Sequence, residues 1–397
     1  MRSSPRLIIA LQLATALLAA GYGVMFTVLD DFRDLYAISE SHLGLVVAVG
    51  FFTSFVGQVT LAPLADRGHA RRLMVSGLAV AVGGTVLMAV ATTLPSLLTA
   101  RFFMGLGTGM AVPAIRRIIV LADPGNLGRN LGRLLSLDVA GFACGPVVSA
   151  LTVGTFGLAA PFLLMAGALA LLVPVIAAHH IEESAESPKE RFAVDLLRIR
   201  PLAGAVVIGL AVFLMIGTFD ALWALMMDDL DAPQWMANVG ITVFAVPLVV
   251  LGPLGGKLAQ RHGPLRVSSL GLCFAALAMC AYGALPAAWM LLAVGVVHST
   301  FDGLTITGTG IAVGLVAPAE RQAGAQGLLG GLQTLTGGVA AISAGWSYEH
   351  FGRTRTFASA AVIMVVLVAV GAALAGPSWG VRGHVGIDEA TPVPVGV

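Results

Sequence analysis

Charge is what this sequence lacks. Of its 397 residues only 11% are Asp, Glu, Lys or Arg, against about 25% in soluble proteins. A full 57% are hydrophobic, more apolar surface than a single water-surrounded core can hide. Lys and Arg, 22 in all, nearly balance Asp and Glu at 21, so no basic excess points to nucleic acid as a partner. Cysteine is scarce as well. Cys144, Cys273 and Cys280 each fall inside an apolar run and are expected to be small packed residues, with no disulfide framework. The chain has no Walker loop, no metal-spaced His/Cys cluster and no nucleophile elbow. An enzyme, a metal centre and a resident cofactor are therefore not expected. ATP is not the expected energy source either, which leaves an ion gradient.

What is present is a series of long uncharged runs. Their solvent has to be lipid, and about 20 apolar residues cross a bilayer as a helix. Lipid cannot satisfy backbone N–H and C=O groups, so spans are helices or a closed barrel. These runs are continuous rather than alternating, which selects helices. Twelve spans are expected, near 7–29, 43–64, 73–93, 96–121, 130–152, 158–180, 201–225, 236–257, 266–285, 288–315, 322–345 and 355–376. The first is read as a span and not as a cleaved leader, because it is long and no small-residue cleavage site closes it.

The one long polar stretch runs from His180 to Arg200 and holds Glu182, Glu183, Glu186, Lys189, Glu190, Arg191, Asp195, Arg198 and Arg200. It divides the spans six and six. The expected organisation is a six-helix bundle over 1–180, a cytoplasmic linker over 181–200, a second bundle over 201–376 and a disordered cytoplasmic tail over 377–397. With the N-terminus inside, every Lys and Arg except Arg33, Arg101, Arg353 and Arg355 falls on the inner side, as the positive-inside rule requires. Both termini are then cytoplasmic, in a cell inner (plasma) membrane. The outer turns lean acidic: Asp30, Asp31, Asp34 and Glu40 follow the first span, and Asp228, Asp229 and Asp231 follow the seventh. Glycine is dense, with 49 residues, and small residues allow helices in lipid to approach closely. Gly105, Gly107 and Gly109 in the fourth span, and Gly327, Gly330, Gly331, Gly337 and Gly338 in the eleventh, suit such contacts.

The chain is organised around the charged turn Ala62-Pro63-Leu64-Ala65-Asp66-Arg67-Gly68-His69-Ala70-Arg71-Arg72 between the second and third runs. A second basic turn, Gly256-Lys257-Leu258-Ala259-Gln260-Arg261-His262-Gly263-Pro264-Leu265-Arg266, sits in the corresponding place of the other half. Two such turns mark an internal duplication. The first resembles the signature G-x-L-a-D-R-x-G-R-R of the major facilitator superfamily, with Ala62 in place of the opening glycine and Gly68-His69 inverted. The second copy carries Gln260 where the acid is expected. Arg101 with Gly105 and Gly109 resembles the R-x-x-x-G-x-x-x-G pattern that the family associates with proton coupling. Gly141, Gly145 and Pro146 resemble its antiporter-type G-x-x-x-G-P element. Over its whole length the chain is thus similar to the twelve-span drug:proton antiporters of that superfamily. The resemblance implies an all-α membrane fold of two pseudo-symmetric six-helix bundles and a gating role for the first turn. Asp66, Arg67, Arg71 and Arg72, with Arg261 and Arg266 of the second copy, are the gate candidates.

Other candidates rest on intramembrane charge alone, which is costly and functional by default. Asp138 lies well inside the fifth span and Asp220 in the outer half of the seventh. His298 and Asp302 lie four apart in the tenth, on one helix face, as suits proton relay, since His titrates near physiological pH. Arg101 is either paired at depth or snorkels to the outer interface. Asp30 closes the first span, at an outer entrance. Phe26, Phe51, Phe55, Phe219 and Trp223 can stack on a lipophilic solute, though packing explains most aromatics at such spacing. The expectation is a monomeric secondary transporter, its partners a small-molecule substrate, protons and the bilayer. It exports a lipophilic or cationic compound in exchange for protons. The alternative is a proton-coupled importer of a sugar, amino acid or organic acid, against which stands the lack of a Gln/Asn set in the spans. A membrane sensor without transport predicts no flux for any ligand.

Overall fold

The computed structural model describes residues 5–181, 183 and 188–380. Arg2, Glu182, Glu186, Arg382 and the rest of the tail beyond Gly380 lie outside the described residues. The chain is all-helical: α1 (Pro5–Thr27), α2 (Leu29–Tyr36), α3 (Glu40–Thr60), α4 (Ala70–Val90), α5 (Leu94–Ala122), α6 (Leu127–Phe156), α7 (Ala159–Ala177), α8 (Arg200–Asp229), α9 (Gln234–His262), α10 (Pro264–Ala284), α11 (Ala288–Thr305), α12 (Gly308–Val316) and α13 (Gln322–Ala375). Among the described residues, eleven stretches are long and apolar enough to cross a membrane. Gly352, at φ 77°, bends the longest of these into two arms, so the spans number twelve.

The apolar core follows the two halves. One cluster of buried residues lies wholly between Ala193 and Ala375. A second is built mainly from α1, α4, α5 and α6, and a third joins α1, α2, α3, α5 and α7. Equivalent helices pair in each half: α1 packs on α6, and α8 on the first arm of α13. Between halves the seams are α6 with α9 and α3 with α13. Close approach there depends on glycine. A Cβ on Gly256 would sit 1.8 Å from the Gly128 carbonyl oxygen, and one on Gly132 would sit 2.1 Å from that of Gly252.

Three expectations are corrected. Cys144, Cys273 and Cys280 are exposed and free instead of packed. A helix in lipid carries apolar residues on its outer face too, so an apolar setting does not mean an interior one. Asp30 and Asp31 do not end the first span but belong to the separate short helix α2. Phe32 anchors that helix, stacked on Phe162 at 6.2 Å, which turns the acids outward. Arg353 and Arg355 follow the Gly352 bend on the second arm of α13. The tail is ordered as far as Gly380: Gly376–Gly380 form a 3₁₀ turn, and Trp379 Nε1 donates to Ser269 Oγ at 3.0 Å.

The linker is anchored, with Ile181, Ala193 and Leu196 buried. Glu183 accepts the Ala70 and Arg71 amides at 2.8 and 3.0 Å, capping α4 where its dipole favours an anion.

Candidate functional site

A cavity of about 440 Å³ lies between the halves. Helices α1, α3, α5 and α6 of the first half and α8, α9, α12 and α13 of the second contribute to its wall. Most of the wall is apolar, with Phe26, Phe51, Phe142 and Phe213 among its aromatics. Two carboxylates line it, Asp138 from α6 and Asp220 from α8, one from each half. The one cation among its lining residues is Arg116 of α5, whose charge acts on Asp138.

Spacing along the sequence does not reveal Arg116, because it counts among the basic residues at the inner end of the fourth span. It lies within α5, which runs on to Ala122. Three glutamines were also missed. Gln58, Gln326 and Gln333 line the cavity, which corrects the expectation that the spans carry no such set. Their amides are engaged: Gln58 donates to Ser54 on its own helix at 3.2 Å and to Thr334 of α13 at 3.3 Å, Gln326 to Gly310 O at 3.0 Å and Gln333 to Gly209 O at 3.3 Å. The tenth span is interrupted between α11 and α12, and Ile306 and Thr307 of this break face the cavity. Both residues keep right-handed helical dihedrals, so the break is a local loss of helical hydrogen bonds and not an unwound loop. The Gly308-Thr309-Gly310 run was its only sequence signal.

Arg101 is fully buried and does not snorkel. Its guanidinium lies 4.2 Å from the Tyr22 ring centroid and 5.8 Å from that of Phe51. Both rings line the cavity, so Arg101 sits one layer behind its wall. Gly50 makes room, since a Cβ there would lie 2.2 Å from Arg101 Nε.

His298 and Asp302 are buried away from the cavity, within the second half. His298 Nε2 is 3.4 Å from Asp302 Oδ2, and Nδ1 meets the Tyr282 hydroxyl at 3.0 Å. Phe244 stands edge-on to the imidazole, with centroids 5.5 Å apart. Phe219 packs between Trp223, Phe244 and Tyr282, so Phe219 and Trp223 belong to this core. Phe55 packs on Phe52. Asp30 is solvent-exposed and pairs with Arg33 at 3.3 Å; it lies outside the cavity lining.

At the basic end the two halves are joined through Asp66. Its Oδ1 accepts the Ala323 amide at 2.9 Å and its Oδ2 that of Gly324 at 2.7 Å, at the start of α13. Arg117 Nε stands 3.3 Å from the same carboxylate. Arg67 donates to the carbonyls of Pro188 and Lys189, both at 3.3 Å, and Arg71 to that of Ala177. Arg72, Arg261 and Arg266 are exposed. Arg321 forks onto both oxygens of Asp195 and donates to the Phe192 carbonyl at 2.9 Å. That hydrogen bond with Arg321 holds the Asp195 carboxyl below its usual range. Gly141 and Gly145 press α6 onto α1: a Cβ would lie 2.0 Å from Ala16 O at the first and 2.3 Å from Gly23 C at the second. Pro146 follows within α6.

Among known families, the model described as Major Facilitator Superfamily matches twice, over residues 11–227 and 205–382. The chain belongs to the Major Facilitator Superfamily. An uncharacterized transporter, YgaY of Escherichia coli (strain K12), is 25% identical over 249 residues, covering 60% of this chain and 61% of its own length. The chain therefore aligns with less than two thirds of that relative. Two superfamily structures share the fold. The human organic anion transporter MFSD10 superposes with a TM-score of 0.76 at 14% identity, covering 93% of this chain and all of that one. The Escherichia coli fucose:proton symporter FucP gives 0.75 at 16%, over 94% and 98%.

Proposed function

We propose that this transporter exports a lipophilic or cationic compound in exchange for protons. The observation that carries the reading is the pair Asp138 and Asp220, which face one largely apolar cavity from opposite halves. Each carboxylate holds either a proton or a cationic solute. Two acids against one arginine leave the wall net negative. Aromatic faces add affinity for a lipophilic cation. The bundles over 1–180 and 201–376 act as the rocking units of alternating access. The basic end faces the cytoplasm, as Lys/Arg asymmetry favours, and is closed in this conformation. A proton taken from outside then displaces the solute, and its departure inward resets the acid.

The test is flux in proteoliposomes with tetraphenylphosphonium as probe and an imposed pH gradient. Uphill movement of the probe against proton entry is expected, and its loss in Asp138→Asn and Asp220→Asn. If both variants retain gradient-driven movement, the coupling scheme is wrong.

Arg116 supports a second reading, proton-coupled uptake of an organic acid, with the guanidinium taking the carboxylate. MFSD10 and FucP, an organic anion transporter and a fucose:proton symporter, keep it in view. Benzoate moving with protons instead of against them selects it.

A further inference from the structure

Gln260 occupies, in the second basic turn, the place that Asp66 holds in the first. The substitution of amide for acid looks like decay of a motif. Its contacts say otherwise. Gln260 is buried at the end of α9, and both ends of its side chain reach across to the other half. Oε1 accepts the Gly128 amide at 2.7 Å, at the start of α6. Nε2 donates to the carbonyls of Pro124 and Gly125 at 3.1 and 3.4 Å. Asp66 meets the start of α13 in the matching way, through two amides. The two residues therefore cap equivalent helices across the two seams. They differ in what they face. Asp66 meets only donors, two amides and Arg117, and a carboxylate suits it. Gln260 meets one donor and two acceptors, and only an amide can serve both. A carboxylate there would stand against two carbonyl oxygens.

We propose that Gln260 is a gating residue, an uncharged second latch that holds the basic end shut along the α6–α9 seam. The seam is built for contact at this depth, where Gly256 lies against Gly128 and Gly252 against Gly132. Opening the basic end separates these backbones and breaks all three bonds of Gln260 together. The proposal rests on the alternating-access reading above.

The test uses full-length protein in nanodiscs, with Cys144, Cys273 and Cys280 replaced by Ser. Spin labels at Arg129→Cys on α6 and His262→Cys on α9 read the seam by electron–electron distance measurement. Each neutral hydrogen bond corresponds to roughly a fivefold factor in an equilibrium. Gln260→Ala and Gln260→Glu should each raise the ratio of open to closed populations by about fivefold or more. Gln260→Glu keeps the side-chain shape, and a parent-like circular-dichroism spectrum and elution profile in both variants exclude a fold defect as the cause. Asp66→Asn, read by a second label pair across α3 and α13, is the control. If Asp66→Asn opens the end while both Gln260 variants keep the parent distances and merely melt earlier, Gln260 is a packing residue and the proposal fails. If no variant and no probe concentration alters either distance, the alternating gate fails and the latch with it.

Discussion

The Asp66 carboxylate accepts the backbone N–H of Gly324 at 2.7 Å, across 258 positions of sequence. One side chain of the first half thereby caps a helix of the second, while Arg117 balances its charge from within the first. Three favourable contacts converge on one buried group at the start of α13.

Asp66→Ala removes the acceptor and leaves Arg117, which is only 3% exposed, without this counter-charge. Breaking a buried pair in this way costs about 3–5 kcal/mol. Asp66→Asn keeps one acceptor and should cost less. The expected outcome is a lower melting temperature in detergent, larger for Ala than for Asn, with substrate exchange slowed in both. Equal melting of Ala variant and parent would show that the latch stores no energy.

The glycine seam makes a sharper demand. A methyl on Gly132 would overlap the Gly252 carbonyl, so Gly132→Ala has to push α6 and α9 apart. Overpacking of this kind costs about 1–3 kcal/mol, and all of it falls on the closed state. Gly338→Ala is the matched control, since a Cβ there meets nothing within 4 Å. Gly132→Ala should raise the reactivity of a cysteine placed at Arg129 toward a water-soluble maleimide, and Gly338→Ala should not.

Asp302 poses a different balance. It is 3% exposed, and His298 Nε2 stands 3.4 Å from its Oδ2. Burying an ionised carboxylate is costly, and an amide of the same shape removes that charge while keeping an oxygen and a nitrogen beside His298. Asp302→Asn should therefore match or exceed the parent in thermal stability. If the pair handles protons, the same variant loses pH-driven flux. Stability gained together with flux kept would assign the pair to packing alone.

Much of the fold was legible because lipid imposes few solutions. Continuous apolar runs have to be helices, so the span positions followed from the sequence alone. What was not legible depends on direction around a helix. A run such as that containing Cys273 and Cys280 gives no sign of which face meets lipid, so the cysteines were misplaced inward. The site divides in the same way. Asp138 and Asp220 stood out because isolated acids in lipid are rare. Arg116 did not, being near enough to a span end to pass for a loop residue. Gln58, Gln326 and Gln333 were overlooked because uncharged polar residues barely lower the hydropathy of a run. Gln260 read as a missing acid because a one-dimensional motif does not show whether donors or acceptors lie across the seam.

The linker clamp has a pH dependence whose sign is determined by Asp195. Arg321 holds that carboxyl below the ordinary aspartate range. A group with a depressed folded value contributes its full stabilisation above the unfolded value, about 3.9 for aspartate, and loses it as pH falls through the folded one. The clamp should thus stay shut at neutral and mildly acidic pH and release only below pH about 4. Its energy is modest, about 0–1 kcal/mol for a pair this exposed, so the local structure reports it better than global melting does. Pulsed hydrogen exchange at the amides of 193–199 should show constant protection above that point, after correction for intrinsic rates, with a fall below it. In Asp195→Asn the protection should be low throughout and the inflection absent. An inflection near neutral pH in the parent would mean that a different group, and not the Asp195–Arg321 fork, holds the linker down.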